Sequence, residues 1–142
     1  MLRRNQSDTA EFKAIVPEHI QWHPFDAFPG RVRIAILVGH PAEPGPYVVR
    51  IKVPAGTKIM PHRNPQDRIY TVMSGELSIG RGEKFDEASL TTCGRGSVIV
   101  VPGAVSHFYW ARSDEFIMQM TAVGPIAVEY VDPERDPRER DS

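Results

Sequence analysis

The chain has 142 residues, room for one domain with a real core and not comfortably for two. Its 41% hydrophobic and 25% charged residues are ordinary for a globular protein and argue against general disorder. Seventeen Lys and Arg against eighteen Asp and Glu leave a formal charge of −1, with no basic stripe, which argues against nucleic acid as a partner. The single cysteine, Cys93, excludes an intramolecular disulfide framework and a cysteine-rich zinc site. The opening MLRRNQSDTAEFK lacks the apolar stretch of a secretory signal, and no run reaches the ~18 apolar residues of a membrane span. A cytoplasmic protein with no membrane partner is the expectation.

Thirteen prolines and eleven glycines cut the chain into short pieces, few of them long enough for a helix. Between the cuts Val, Ile, Phe and Tyr predominate, as strands require. In chain order the expected strands are Arg33–Val38, then Tyr47–Val53, where Tyr47, Val49, Ile51 and Val53 alternate with Val48, Arg50 and Lys52. Lys58–Met60 and Ile69–Met73 follow, the latter separated from Glu76–Ile79 by the tight-turn pair Ser74-Gly75. Ser97–Val101 reads as a buried strand, and His107–Ala111, Phe116–Val123 and Ile126–Val131 complete the set. One helical turn is expected over Lys84–Leu90, and Gly80-Arg81-Gly82 and Gly94-Arg95-Gly96 read as turns. The pattern is that of an all-β sandwich or barrel over residues 11–131, flanked by a flexible segment 1–10 and a charged flexible tail 132–142.

Two stretches carry special residues at suggestive spacing. The first contains Gly56, His62, Asn64, Arg68 and Gly75; the second contains Gly96, Pro102, Ala104 and His107. Residues two apart in a strand share a face, so Asn64 goes wherever His62 goes. His107 follows a Pro-Gly turn able to aim it inward. Two histidines from different strands facing a closed apolar interior are a start for a divalent metal site.

These stretches resemble the two motifs of the RmlC-like cupin superfamily. The first family motif runs Gly, five residues, His-x-His, three or four residues, Glu, six residues, Gly, and Gly56, His62 and Gly75 match it. The second runs Gly, five residues, Pro-x-Gly, two residues, His, three residues, Asn, and Gly96, Pro102 and His107 match it, while Ala104 replaces the glycine and Ala111 the asparagine. The resemblance covers about residues 30–131 and is nearest to small single-domain cupins with an HPxDE-like segment, here Asn64-Pro65-Gln66-Asp67-Arg68, and a YVNPxDDPR-like end, here residues 130–138. It implies the cupin double-stranded β-helix, a jelly-roll barrel, with a metal held by His62, His107 and two further side chains.

Those two further positions depart from the pattern. Asn64 stands for the second histidine and Arg68 for the glutamate. An amide oxygen is a poor substitute for imidazole on Zn, Fe or Cu. A guanidinium at about 4 Å, with an effective dielectric constant of about 20, opposes a unit positive charge by about 4 kcal/mol. If Arg68 points inward a divalent metal is disfavoured; if it swings to the rim, Asp67 can supply a carboxylate.

Three functions are consistent with these residues. The first is a small-molecule pocket in the barrel with a degenerate two-His metal site, its ligand contacted by Asn64, Arg68, Tyr70, Tyr109 and Gln119. The arginine then takes an anion where the family holds a metal. The second is a metal-dependent dioxygenase, isomerase or lyase acting on a small organic acid, with Fe, Mn, Ni or Zn on His62 and His107. The third is a structural homodimer with a filled barrel, and a homodimer is the oligomer that the resemblance implies. His107 and Tyr109 share one face of their strand and Phe108 and Trp110 the other; one pair faces inward, and the other supports a sheet-to-sheet or subunit contact. Phe116, Met118 and Met120 share a face opposite Gln119 and Thr121, and one of those faces meets the interior.

Overall fold

The fold is described here from a computed structural model, which covers residues 11–139. Eleven strands form: β1 (His23–Pro24), β2 (Arg33–Val38), β3 (Gly45–Val53), β4 (Lys58–Arg63), β5 (Arg68–Ser74), β6 (Leu77–Arg81), β7 (Thr91–Cys93), β8 (Val98–Val101), β9 (His107–Trp110), β10 (Phe116–Gly124) and β11 (Glu129–Tyr130). They make two antiparallel sheets, one ordered β1-β2-β3-β10-β5-β8 and the other β11-β4-β9-β6-β7. The architecture is the expected all-β jelly roll. No described helix is long and apolar enough to cross a membrane.

The alternation read in the sequence is what packs the sheets together. Tyr47, Val49, Ile51 and Val53 on β3 and Phe116, Met118 and Met120 on β10 are buried inward. They meet Tyr70 and Val72 of β5 on the same sheet and Ile59, Leu77 and Tyr109 of the facing one. Such interdigitated apolar faces, each side chain worth about 1.5–3 kcal/mol on burial, are the main source of stability.

Local departures from the expected elements have physical reasons. Only Glu87–Ser89 is helical in the 84–90 segment, as one 3-10 turn, with the Asp86 carboxylate accepting from Ala88 N at 3.0 Å. Thr91–Cys93, not among the expected strands, pairs with β6, so Cys93 lies opposite Leu77. Gly80 and Arg81 end β6 rather than forming a turn, because the strand continues along β9 to the pair Arg81–His107. Of Ile126–Val131 only Glu129 and Tyr130 pair, against β4.

Phe108 and Trp110 face away from the interior, where the loop after β6 covers them. The Phe85 ring lies 4.9 Å from Phe108, and the Lys58 ammonium lies 4.5 Å over Trp110. These two aromatics are therefore engaged within the chain by the loop after β6. Gly80 is required beneath them, since a Cβ there would stand 2.4 Å from the Phe108 ring.

Residues 1–10 and 140–142, expected to be flexible, lie outside the described residues. The rest of the tail makes a 3-10 turn at Pro133–Arg135. Arg138 Nη2 donates to Val128 O at 2.6 Å and its guanidinium pairs with Asp136 at 2.9 Å.

Candidate functional site

The interior site is assembled from β4, β5 and β9. Strict alternation from Ile59 would turn His62 outward. Pro61 has no N–H for the ladder, and the β4–β9 register shifts between Ile59 and His62, pairing Ile59 with Tyr109 and His62 with His107. This bulge brings His62 to the same inward face as Ile59, where it is fully buried. His107 is aimed by the turn before β9. Gly103 there packs so closely on Pro65 that a Cβ would lie 2.3 Å from the Pro65 carbonyl oxygen. Gly103 N also donates to the Asp67 carboxylate at 2.7 Å.

Each ring has its tautomer set by a backbone carbonyl, which can only accept. His62 Nδ1 donates to Met60 O at 2.8 Å and His107 Nδ1 to Val105 O at 2.8 Å. Both Nε2 lone pairs are thereby turned to the interior, with ring centroids 4.4 Å apart. Burial holds His62 well below the usual histidine range, with the neighbouring His107 adding to the effect. Burial brings His107 down to about 4. Both are neutral imidazoles near pH 7.

Arg68 points inward and is 1% exposed. Its Nη1 donates to the Tyr70 hydroxyl at 3.2 Å and its Nη2 to Ala127 O at 3.4 Å. The Tyr70 and Tyr109 hydroxyls are hydrogen-bonded to each other. The His107 Nε2 lone pair must be met by a phenol proton, and the Tyr109 hydroxyl at 2.8 Å stands closer than Tyr70 at 3.4 Å. A continuous polar chain thus runs from Arg68 through two phenols to His107 and out to the backbone.

Two atoms stay outside it: buried His62 Nε2 and Arg68 Nε have no hydrogen-bond partner. Burial lowers the Arg68 pKa, but the phenol oxygens of Tyr70, Tyr109 and Tyr47 outweigh it and the net shift is upward, so the guanidinium stays charged. Among the described residues no carboxylate pairs with it.

Six of the seven singled-out residues are brought together here: His62, His107, Arg68, Tyr70, Tyr109 and Asn64. Asn64, though buried, has its amide consumed by the backbone, donating to Gln66 O at 3.0 Å and accepting from Ala127 N at 2.9 Å. Gln119 is elsewhere. It shares the outward face of β10, since Met118 and Met120 occupy the inward one, and its side-chain oxygen accepts from Arg50 Nε at 3.0 Å. The expected ligand contact at Gln119 is corrected accordingly. Asp67 is exposed and turned to Gly103, so it does not take up the vacated carboxylate position.

Sequence reading missed Tyr47, whose phenol faces the same guanidinium, and Arg81, which lies opposite His107. Tyr47 was legible only as a core position, and Arg81 was hidden between two glycines that mimic a turn.

The sheets part between the edge strands β8 and β7. The resulting cleft, about 490 Å³, is walled by Ile79, Ile99, Val101 and Val105 and reaches His107 and Arg81.

No family model matches the chain, and no curated protein matches it. Solved structures do resemble it. The polyketide cyclase RemF from Streptomyces resistomycificus superposes with a TM-score of 0.73 at 16% identity, over 92% of this chain and 93% of that one. A cupin 2 conserved barrel domain protein from Rhodopseudomonas palustris gives 0.66 at 13% identity, over 87% of each chain. An RmlC-like cupin from Shewanella frigidimarina gives 0.60 at 12%, over 84% of this chain and 96% of that one. At these identities the likeness establishes fold and nothing further.

The chain has the cupin fold.

Against the cupin metal pattern the site fits by halves. His62 and His107 are presented as metal ligands are, each Nδ1–H held by a carbonyl and each Nε2 turned inward. The other two positions hold an amide already spent on the backbone and a buried cation. Among the described residues no three His, Cys, Asp or Glu side chains gather as a metal site. This donor set does not fit a divalent cation.

Proposed function

We propose that this cupin binds a small organic anion in its barrel, using the fixed charge of Arg68 where the family pattern uses a metal. One observation carries the reading: a guanidinium removed from water, without a carboxylate partner among the described residues, at the position of the pattern's glutamate. A buried unpaired charge costs several kcal/mol, so it is retained where a ligand compensates it. The field of Arg68 favours negative charge at the His107 end of the cleft, where the cleft touches the interior cluster. Neutral His107, already hydrogen-bonded to Tyr109, then presents a polar wall without adding charge of its own.

The experiment is elemental analysis of the purified protein after incubation with Fe, Mn, Ni and Zn, followed by calorimetric titration with a panel of carboxylic acids. The expected outcome is no stoichiometric metal and at least one acid that binds wild type and is weakened tenfold or more by Arg68→Met. One equivalent of metal, lost in His62→Ala and His107→Ala, would overturn the reading and favour the metal-dependent enzyme.

We further propose that two copies associate through the outer face of the six-stranded sheet. Val100, Ile69, Thr121 and Val48 stand in register across β8, β5, β10 and β3. Val100, Val98 and Ile69 are 67%, 61% and 46% exposed, a contiguous apolar row at an unpaired sheet edge.

A further inference from the structure

We infer that the ligand is an amphipathic monocarboxylic acid of medium length, lying in the cleft with its carboxylate at Arg81 and its apolar body running toward Cys93. The inference rests on the reading of the barrel as an anion receptor and adds the class of molecule and its direction.

Direction follows from strand register. In an antiparallel pair, directly opposed residues share a face. Arg81 is paired with inward-facing His107, Ile79 with inward-facing Tyr109, and Leu77 with Cys93. The inner face of β6 therefore reads cation, aliphatic, aliphatic, from the open end inward. The facing wall repeats the order. Ile99 and Val101 of β8 stand opposite Tyr70 and Arg68, so the Val101 end lies beside the buried charge. Both cations thus mark one end of a mainly apolar slot.

Arg81 is exposed and has no acidic partner among the described residues, unlike Arg63, which is held by Glu129 and Glu83, or Arg138, held by Asp136. From Leu77 to Arg81 β6 spans about 13 Å, the length of an extended medium-chain acid. A cleft of about 490 Å³ lies within the range of small-molecule sites. The carboxylate meets a guanidinium it can bind bidentately, while the body removes Ile79, Ile99 and Val105 from water.

Cys93, the lone thiol, lines the far end and reports occupancy. The test measures the rate of Cys93 alkylation by N-ethylmaleimide with butyrate, octanoate, decanoate or neutral octanamide, in wild type, Arg81→Gln and Arg68→Met. Octanoate is expected to slow alkylation at least fivefold at saturation. Its apparent affinity should exceed that of butyrate and octanamide by tenfold or more and fall about tenfold in Arg81→Gln.

Equal protection by octanamide and octanoate, unchanged in Arg81→Gln, would overturn the inference. Carboxylate binding that is indifferent to chain length and to Arg81, yet weakened by Arg68→Met, would overturn it while sparing the anion-receptor reading. Octanoate binding that depends on Arg81 and not on Arg68 would overturn that reading and leave the cleft assignment supported. Absence of binding by every acid would overturn both.

Discussion

Taking the Arg68 guanidinium out of water without a carboxylate works against the fold, because phenol and carbonyl oxygens return only part of the lost hydration. Methionine fills much of the same space and asks for no partner. Arg68→Met is therefore expected to stabilise the protein by about 1 kcal/mol or more and to weaken anion binding tenfold or more. Urea unfolding and titration on the same sample check the two halves. Destabilisation would show that Arg68 serves the core rather than a ligand.

The histidines give a second prediction at this scale. His107 has a folded pKa of about 4 against an ordinary 6.5, and His62 is displaced the same way. Between those values the unfolded chain holds a proton that the folded chain refuses, so unfolding takes up protons and acid favours it. Stability is full above about pH 6.5 and falls as pH drops toward 4, by about 3 kcal/mol from His107 alone. Urea midpoints at pH 7.5, 6 and 5 should decline, less steeply in His107→Gln. A flat profile would mean that the rings are solvated.

Short irregular elements set the site more than the regular strands do. The proline bulge in β4 re-aims His62, and the turn from Pro102 to Ala104 re-aims His107. Ala104 sits at φ 66°, in the left-handed region where the family pattern has glycine, and its backbone N–H donates to Asn64 O at 2.7 Å. A Cβ in that conformation costs about 1–2 kcal/mol, partly offset by glycine's greater unfolded-state freedom. Ala104→Gly should raise stability by about 0.5–1 kcal/mol, read as a higher melting temperature with ligand affinity unchanged. A lower melting temperature would show that the turn is not strained. The motifs made Pro102, Ala104 and His107 legible as a unit. They could not show the bulge, because a register shift depends on which partner strand Pro61 fails to bond.

At the scale of the molecule, the outer row of Val98, Val100 and Ile69 predicts a dimer in solution. Light scattering after gel filtration should give twice the chain mass of 15.9 kDa, and Ile69→Lys, outside the cleft lining, should give a monomer that still binds the acid. A monomeric wild type would sink the dimer.

The sequence by itself determined that this is an all-β barrel, through period-two alternation and regular Gly and Pro breaks, which are local properties of the chain. It also placed His62, Asn64, Arg68 and His107 at the four ligand positions of the two motifs, two matching and two departing, because motif spacing is preserved when strands pair in the same order. Only the tertiary structure decided that Arg68 faces inward, that Asn64 is spent on Ala127 and Gln66, and that Gln119 turns to Arg50 outside. It alone brought Arg81 beside His107 at the mouth of a cleft. Those outcomes depend on which face of a sheet meets the other sheet and largely on partners distant in the chain, and such partners come together only once the two sheets have closed.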